Sequence, residues 1–381
     1  MIALLLALAA LPAPRTAPAT AHVAALQDVL ARDPADLPRA AAGRWTGWKP
    51  SDAVPEALLG PLREGTRAYF EGDYASAAAT YWGLLEREPD FPPALYQLGV
   101  TYFRLRRYGD CARTFERFLE VAPGAVAATQ ALAHSYYSLG EYERALAQYE
   151  AVLDADARSV EALRGYALSH MRLGHLERAL ELFDACLAKE PEHLEVHFWR
   201  AQTLSELGRT EEARAAAEAT RDLDPFDPRA WFLLSQLYFE LGLDDEADAA
   251  ERRFGELNQH AQKVRTLEGL LLYEPRRIDL WRRLFDVERV AGNQRGAIAA
   301  LEGCLRALPK ELGVRVFVLD ALAELGERER ADDVAATLER DFAEVPEAWL
   351  ALRDHYGRMN DRVRQVRAGE RYLRLGGDPR R

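Results

Sequence analysis

Residues 92–125 read PPALYQLGVTYFRLRRYGDCARTFERFLEVAPGA, and residues 126–159 read VAATQALAHSYYSLGEYERALAQYEAVLDADARS. Both stretches are 34 residues long and carry one chemistry at one set of offsets: an aromatic at Tyr102 and Tyr136, a small residue at Cys111 and Ala145, and a second aromatic at Phe115 and Tyr149. Around these, apolar residues return every three or four positions, which places them on one face of an α-helix.

The period continues in both directions. Leu58, Pro92, Val126, Val160, Leu194 and Pro228 stand 34 residues apart, and Ile278, Leu312 and Pro346 resume that interval after one gap of 50. Nine units are thus laid out, with 16 extra residues after the sixth. At the fifteenth position come Gly72, Gly140, Gly174, Gly208, Gly242, Gly292 and Gly326, with Arg106 and Asn360 in the same place. Glycine there ends a helix in the left-handed conformation that a Cβ resists. Five positions on, Ala77, Ala145, Ala179, Ala213, Ala247, Ala297, Ala331 and Cys111 let two antiparallel helices approach closely. Pro89, Pro123, Pro191, Pro225 and Pro309 then close units, since proline lacks the N–H that a continuing helix needs. Helix, tight turn, helix and connector, repeated this often, predict an architecture in which each unit buries its apolar face against its neighbours. The predicted fold class is all-α, a right-handed superhelical solenoid of helix-turn-helix repeats.

In Leu95, Leu98-Gly99, Tyr102, Cys111, Phe115 and Pro123, and again in Trp231, Leu234, Tyr238, Gly242 and Ala247, the chain resembles the tetratricopeptide repeat family. The resemblance covers about 58–381. The units beginning at Ile278 and Pro346 depart most from the pattern, with Glu288 in place of the tyrosine and Gln365 in place of the alanine. The resemblance implies that first helices line a concave surface, with positions 5, 6, 9, 12 and 13 of each unit facing the groove. On this sequence those positions give Tyr96, Phe103, Arg104, Gln130, His134, Tyr137, Arg164, Arg172, Phe198, Trp199, Gln202, Phe232, Gln236 and Phe239 as the candidate partner-binding residues. Aromatic anchors supply burial and amides pair with backbone groups, so such a groove suits an extended peptide or a partner helix. The Lys and Asn set with which some relatives clamp a terminal carboxylate is absent, so a ligand with several apolar side chains is expected.

The chain has 381 residues, of which 49% are hydrophobic, and 49 Lys and Arg against 61 Asp and Glu leave a formal charge of -12. That apolar content excludes disorder, and a field of this sign repels nucleic acid and anionic lipid. Ile2 to Leu11 form an apolar run followed by Pro12, Pro14, Pro18 and the small residues Ala19-Thr20-Ala21. That is the pattern of an export signal over 1–21, cleaved to leave His22 and a periplasmic or extracellular chain. The run is too short to cross a hydrocarbon core of about 30 Å as a helix, and no later segment spans a membrane.

Residues 22–57 are expected to hold a helix on Val23, Leu26, Val29 and Leu30, then a Pro-, Ala- and Gly-rich linker whose Trp45 and Trp48 cap the open face of the first repeat. Six repeats occupy 58–261. From Asp244 to Glu274 the apolar spacing is helical: either one long helix projects from the stack or, the expectation adopted, Gly255 and Asn258 break it and an extra helix over 262–277 joins the solenoid. Three divergent repeats fill 278–381, ending in a basic cap with eight Arg against three acids over 358–381.

Repeats leave no room for a catalytic domain. His193 and His197 share a helix face without a third ligand, and Asp222, Asp224 and Asp227 lack the glycine and glutamate of a calcium loop, so no metal and no cofactor is expected. Cys111, Cys186 and Cys304 read as buried small hydrophobes. The expected function is a non-enzymatic protein-protein interaction scaffold, monomeric, that binds a peptide or helix of a cell-envelope partner in its aromatic groove. The alternative is a structural or self-assembling component that makes contact through its end caps and basic C-terminal helix.

Overall fold

The computed structural model describes residues 31–40, 44–49 and 52–378. The expected signal segment and the helix expected on Val23 to Leu30 lie outside the described residues. Among the described residues the chain forms eighteen α-helices and one short 3-10 turn, Pro34–Asp36, with no strand. Five hairpins come first: α1 (Glu56–Phe70) with α2 (Tyr74–Arg87), α3 (Pro92–Arg104) with α4 (Tyr108–Val121), α5 (Val126–Leu139) with α6 (Tyr142–Ala155), α7 (Val160–Arg172) with α8 (Leu176–Leu187), and α9 (Leu194–Glu206) with α10 (Thr210–Leu223). Then come α11 (Pro228–Glu240), α12 (Asp244–Tyr273), α13 (Ile278–Ala291) with α14 (Gln294–Ala307), α15 (Leu312–Glu324) with α16 (Arg328–Asp341), and α17 (Pro346–Arg358) with α18 (Arg362–Arg374). The fold is an all-α helical-repeat solenoid.

Each turn follows the local rule read from the sequence. The seven glycines at the fifteenth position have φ between 70° and 82°, and Arg106 and Asn360 are forced into the same left-handed region at φ 58°. The turn geometry, not the residue type, is the invariant. Where the helices of a hairpin cross, Ala77, Ala145, Ala179, Ala213, Ala297, Ala331 and Cys111 are wholly buried. Glycine makes room for a ring at the eighth position of two repeats: a Cβ at Gly65 would come within 2.6 Å of the Tyr81 ring, and one at Gly99 within 2.8 Å of Phe115.

Two compact units result. One comprises the chain through Asp224 together with Gln236–Leu243, the other Pro225–Ser235 and Asp244 onward. In the first, Tyr81, Tyr102, Tyr149, Phe91, Phe115, Phe118 and Phe183 are buried almost completely. Its first helices touch one another from repeat to repeat, α1 with α3, α3 with α5, α5 with α7 and α7 with α9. Its second helices do not make such contacts, so the first helices lie on the tighter, inward side. In the second unit α15 and α17 touch in the same way.

Two expectations are corrected. Residues 244–273 form one continuous helix of 30 residues rather than a helix, a break and an extra helix over 262–277. Gly255 keeps ordinary helical torsions, because it does not lie in the positive-φ region, and no proline interrupts the stretch. Ala250, Leu257, Leu267 and Leu271 are buried along its length, so tertiary burial outweighs the roughly 1 kcal/mol that glycine costs in a helix.

The second correction concerns the linker. The stretch expected to cap the first repeat lies instead along the second helices α2 and α4. Arg32 pairs with Glu86 at 2.7 Å, Asp33 with Arg113 at 3.1 Å, and the Gly47 amide donates to the Val121 carbonyl at 2.9 Å. At its centre the Arg117 guanidinium, only 4% exposed, binds Asp90 and donates to the Leu37 carbonyl at 3.1 Å and to the Pro38 carbonyl. Asp90 in turn accepts from the Ala40 amide at 2.6 Å. A buried guanidinium needs every donor satisfied, and the carbonyls of this strap supply what α2 and α4 do not.

Candidate ligand-binding faces

On the inward side of the first unit the structure builds a row at the hairpin turns. Tyr69 meets Tyr74 edge-on at 5.3 Å, Phe103 meets Tyr108 at 5.3 Å, and Tyr137 meets Tyr142 at 5.5 Å. Arginines bridge successive repeats. Arg104 donates from Nε to the Tyr69 hydroxyl at 3.1 Å, and Arg172 to the Tyr137 hydroxyl at 3.3 Å. Arg172 also lies over the Trp199 ring at 5.7 Å, and Trp199 meets Phe198 at 5.1 Å. Tyr137, Arg172 and Trp199 thereby join α5, α7 and α9 in one surface.

Other candidates are spent on packing. Tyr96 sits edge-on against Phe115 and Phe118 of α4, and with Trp48 it lines a small cavity of about 310 Å³ beside the α4–α5 connector. His134 rests edge-on against Tyr149 at 5.6 Å, and burial holds its imidazole below the usual pKa. Arg164 is paired with Glu195 at 3.0 Å, and Gln202 donates to Glu206 on its own helix at 3.2 Å. Gln130 is half-buried on α5. Phe232 packs on Phe254 of α12 at 5.2 Å and keeps 47% of its surface exposed. Gln236 and Phe239 lie exposed on the last turns of α11, Phe239 at 72%.

The second unit holds a groove that the sequence reading passed over. It has a volume of about 830 Å³ and is lined by α13, α15 and α17. Its walls include Arg282, Asp286 and Arg289 from α13, Val316, Phe317, Asp320 and Glu324 from α15, and Leu350, Ala351, Asp354 and Arg358 from α17. All of these occupy positions 5, 6, 9, 12 or 13 of their repeats. The signal was therefore present: the same offsets, carried past the insertion, select this lining.

Models of the tetratricopeptide repeat match residues 62–126, 131–193 and 170–237. Over these residues the chain consists of tetratricopeptide repeats. No curated protein matches it. Similar solved structures include a MamA RS-1 double mutant, 19% identical over 45% of this chain and 97% of that one, with a TM-score of 0.44. A MamA fragment from Desulfovibrio magneticus RS-1 is 20% identical over 45% of this chain and 95% of its own, with a TM-score of 0.41. YrrB, described as a TPR protein with an unusual peptide-binding site, is 15% identical over 47% of this chain and 93% of its own, with a TM-score of 0.40.

The departures from the tetratricopeptide pattern have local compensations. Glu288, 6% exposed at the tyrosine position, accepts from Asn293 Nδ2 at 2.8 Å, and His260 Nε2 of α12 stands 3.1 Å away at ion-pair distance but without hydrogen-bond alignment. Burial pushes its carboxyl pKa up despite these partners. Gln365, at the alanine position, fits because its neighbour is Gly357, where a Cβ would come within 2.7 Å of the Gln365 amide.

The three cysteines are free and buried, and burial pushes their thiols up, Cys111 to about 12 and Cys186 and Cys304 to about 11. Thiols held so high are poor nucleophiles. His197 hydrogen-bonds the Pro191 carbonyl at 2.7 Å, and Asp227 accepts from the Arg229 amide at 2.9 Å at the start of α11. Among the described residues no three His, Cys, Asp or Glu cluster as metal ligands, and no helix is long and apolar enough to cross a membrane.

Proposed function

We propose that this chain is an exported, non-enzymatic scaffold that holds a peptide or helix of a cell-envelope protein along the inward side of its first unit. The observation that carries this reading is the surface joined by Tyr137, Arg172 and Trp199. Of three successive first helices the outer two present the Tyr137 and Trp199 rings and the middle one the Arg172 guanidinium that bridges them, an arrangement that buries apolar side chains while its arginine pairs with backbone carbonyls. Aromatics and arginine are the side chains that most often dominate binding energy at protein interfaces.

The test is recovery of partners from native envelope extract with the wild-type chain and with Tyr137→Ala/Trp199→Ala as baits. Both side chains stand on the inward face, so helicity should be unchanged. A partner retained by the wild type and lost by the variant supports the reading, and equal recovery by both overturns it. Export is tested by N-terminal mass analysis of the protein recovered from cells: a chain that starts at His22 supports it, and one that starts at Met1 overturns it.

One observation favours the second reading, contact through the end of the stack. On α18, Val363, Val366 and Leu373 fall on one face and are 81%, 60% and 51% exposed. Two of the five arginines of this helix are paired with the preceding repeat, Arg364 with Asp332 and Arg371 with Glu344, each at 2.7 Å. Light scattering that finds only monomer at micromolar concentration removes this alternative.

A further inference from the structure

The inward groove of the second unit differs in chemistry from the aromatic face of the first. At the ninth position of the repeat the first unit carries Thr66, Val100, His134, Leu168 and Gln202, none of them acidic, whereas the second carries Asp286, Asp320 and Asp354, each 34 residues after the last. These three aspartates line the groove of about 830 Å³, one from each first helix.

The charge left over in the groove is negative. Each aspartate already has an arginine beside it: Arg358 reaches back one repeat to Asp320, Arg289 approaches Asp286 at 3.5 Å, and Arg353 binds one oxygen of Asp354 at 2.6 Å, while Arg282 lies over the Phe317 ring at 4.9 Å. Glu324 and Glu347, also in the lining, have no hydrogen bond or ion pair among the described residues. The groove also displays how it receives a cation: Arg358 sits on a carboxylate and Arg282 on an aromatic face, the two forms of guanidinium recognition that proteins use most. Phe317 and Leu350 lie between the acidic rungs as an apolar floor.

We propose that this groove is a second binding site, for an extended polypeptide segment with lysine or arginine at every third residue. Packed helices stand about 8–10 Å apart, and a chain in the extended polyproline II conformation advances about 3.1 Å per residue with three residues per turn, so every third side chain returns to the same face one repeat further on. A basic side chain at every third position then meets Asp286, Asp320 and the unpaired oxygen of Asp354 in turn, displacing Arg358 from Asp320 and Arg282 from the Phe317 ring, while the residues between them cover Phe317 and Leu350. The site is separate from the one on the first unit and does not depend on it.

The probe is a fluorescein-labelled peptide of four Lys-Val-Ser triplets, titrated with the full-length protein in low salt and followed by anisotropy. A control peptide has the same composition with its lysines gathered at one end, and another has glutamate for lysine. The triplet peptide is expected to bind, the gathered peptide at least fivefold more weakly, and the glutamate peptide not at all. Asp286→Asn/Asp354→Asn, at two exposed positions, is expected to weaken triplet binding at least tenfold, and Tyr137→Ala/Trp199→Ala to leave it unchanged. The proposal is overturned if the triplet peptide shows no binding up to 1 mM, if the gathered or glutamate peptide binds as well as it does, or if the aspartate variant binds undiminished. Loss of binding in the Tyr137→Ala/Trp199→Ala variant alone would move the site to the first unit and equally overturn it.

Discussion

Arg172 donates from Nε to the hydroxyl of Tyr137 across 3.3 Å, from position 13 of one repeat to position 12 of the repeat before. Two repeats earlier, Arg104 makes the same bond to Tyr69 at 3.1 Å. The bond crosses between repeats on the open side, so it sets the spacing of the inward rings without being buried. Exposed pairs of this kind contribute under about 1 kcal/mol. Arg172→Ala should therefore shift the urea midpoint only slightly while reducing partner retention. A large loss of stability with unchanged retention would show that the bridge serves folding instead.

Arg106 and Asn360 occupy the left-handed turn position at φ 58°. A side chain in that region costs about 1–2 kcal/mol, less for asparagine, and glycine removes most of the cost. Arg106→Gly should stabilise the chain by up to roughly 1 kcal/mol and Asn360→Gly by less, whereas Gly174→Ala should destabilise it by about 1 kcal/mol. Urea unfolding of the three variants decides the order.

The strap over α2 and α4 turns on Arg117 and Asp90. Removing one member leaves the other as an uncompensated buried charge, at a cost of about 3–5 kcal/mol. Arg117→Ala should fall in that range and release residues 31–40 to proteolysis. Arg117→Met/Asp90→Asn should cost clearly less than the sum of its two single changes, which a double-mutant cycle measures.

Gly255 lies in mid-helix with no atom within 4 Å of where its Cβ would stand. Gly255→Ala should therefore add about 0.5–1 kcal/mol, and Gly255→Pro should cost about 3 kcal/mol or more. Destabilisation by the alanine would place a break in α12 where the structure has none.

His355 is wholly buried on α17 with neither ring nitrogen hydrogen-bonded, and burial holds its imidazole below the usual pKa. Arg358 and Arg364 act in the same direction, and Asp320 and Asp332 oppose them. Because the folded pKa is the lower one, the unfolded chain takes up the proton first as pH falls through about 6.5, and stability is lost on acidification. In His355→Phe the drop in urea midpoint between pH 7.5 and pH 5.5 should shrink. His134 and His170, also lowered by burial, leave a residual slope. An unchanged slope would remove His355 from the account.

The hairpins were legible because each rests on a local rule. Gly140 or Gly174 can end a helix, and Ala145 or Ala179 can sit at a crossing, without reference to distant parts of the chain. The aromatic face was legible only in part. Tyr137, Arg172 and Trp199 come together, while Tyr96 and His134 turn out to pack against Phe115, Phe118 and Tyr149. Which of two half-apolar positions faces the groove depends on the size of the side chain opposite it, a property of the pair rather than of either residue.

The sequence by itself determined the 34-residue period, the helix-turn-helix unit and its left-handed turn, because these follow from spacing and from torsional preferences within one repeat. Only the tertiary structure decided that α12 runs unbroken, that residues 31–40 and 44–49 lie on α2 and α4, and that Asp286, Asp320 and Asp354 share a groove. Each of those outcomes depends on desolvation between segments far apart in the chain: burial of Leu257 and Leu271 along α12, satisfaction of Arg117 by the carbonyls of Leu37 and Pro38, and the stacking of three first helices into one face. Such energies exist only once the partner surfaces are in place.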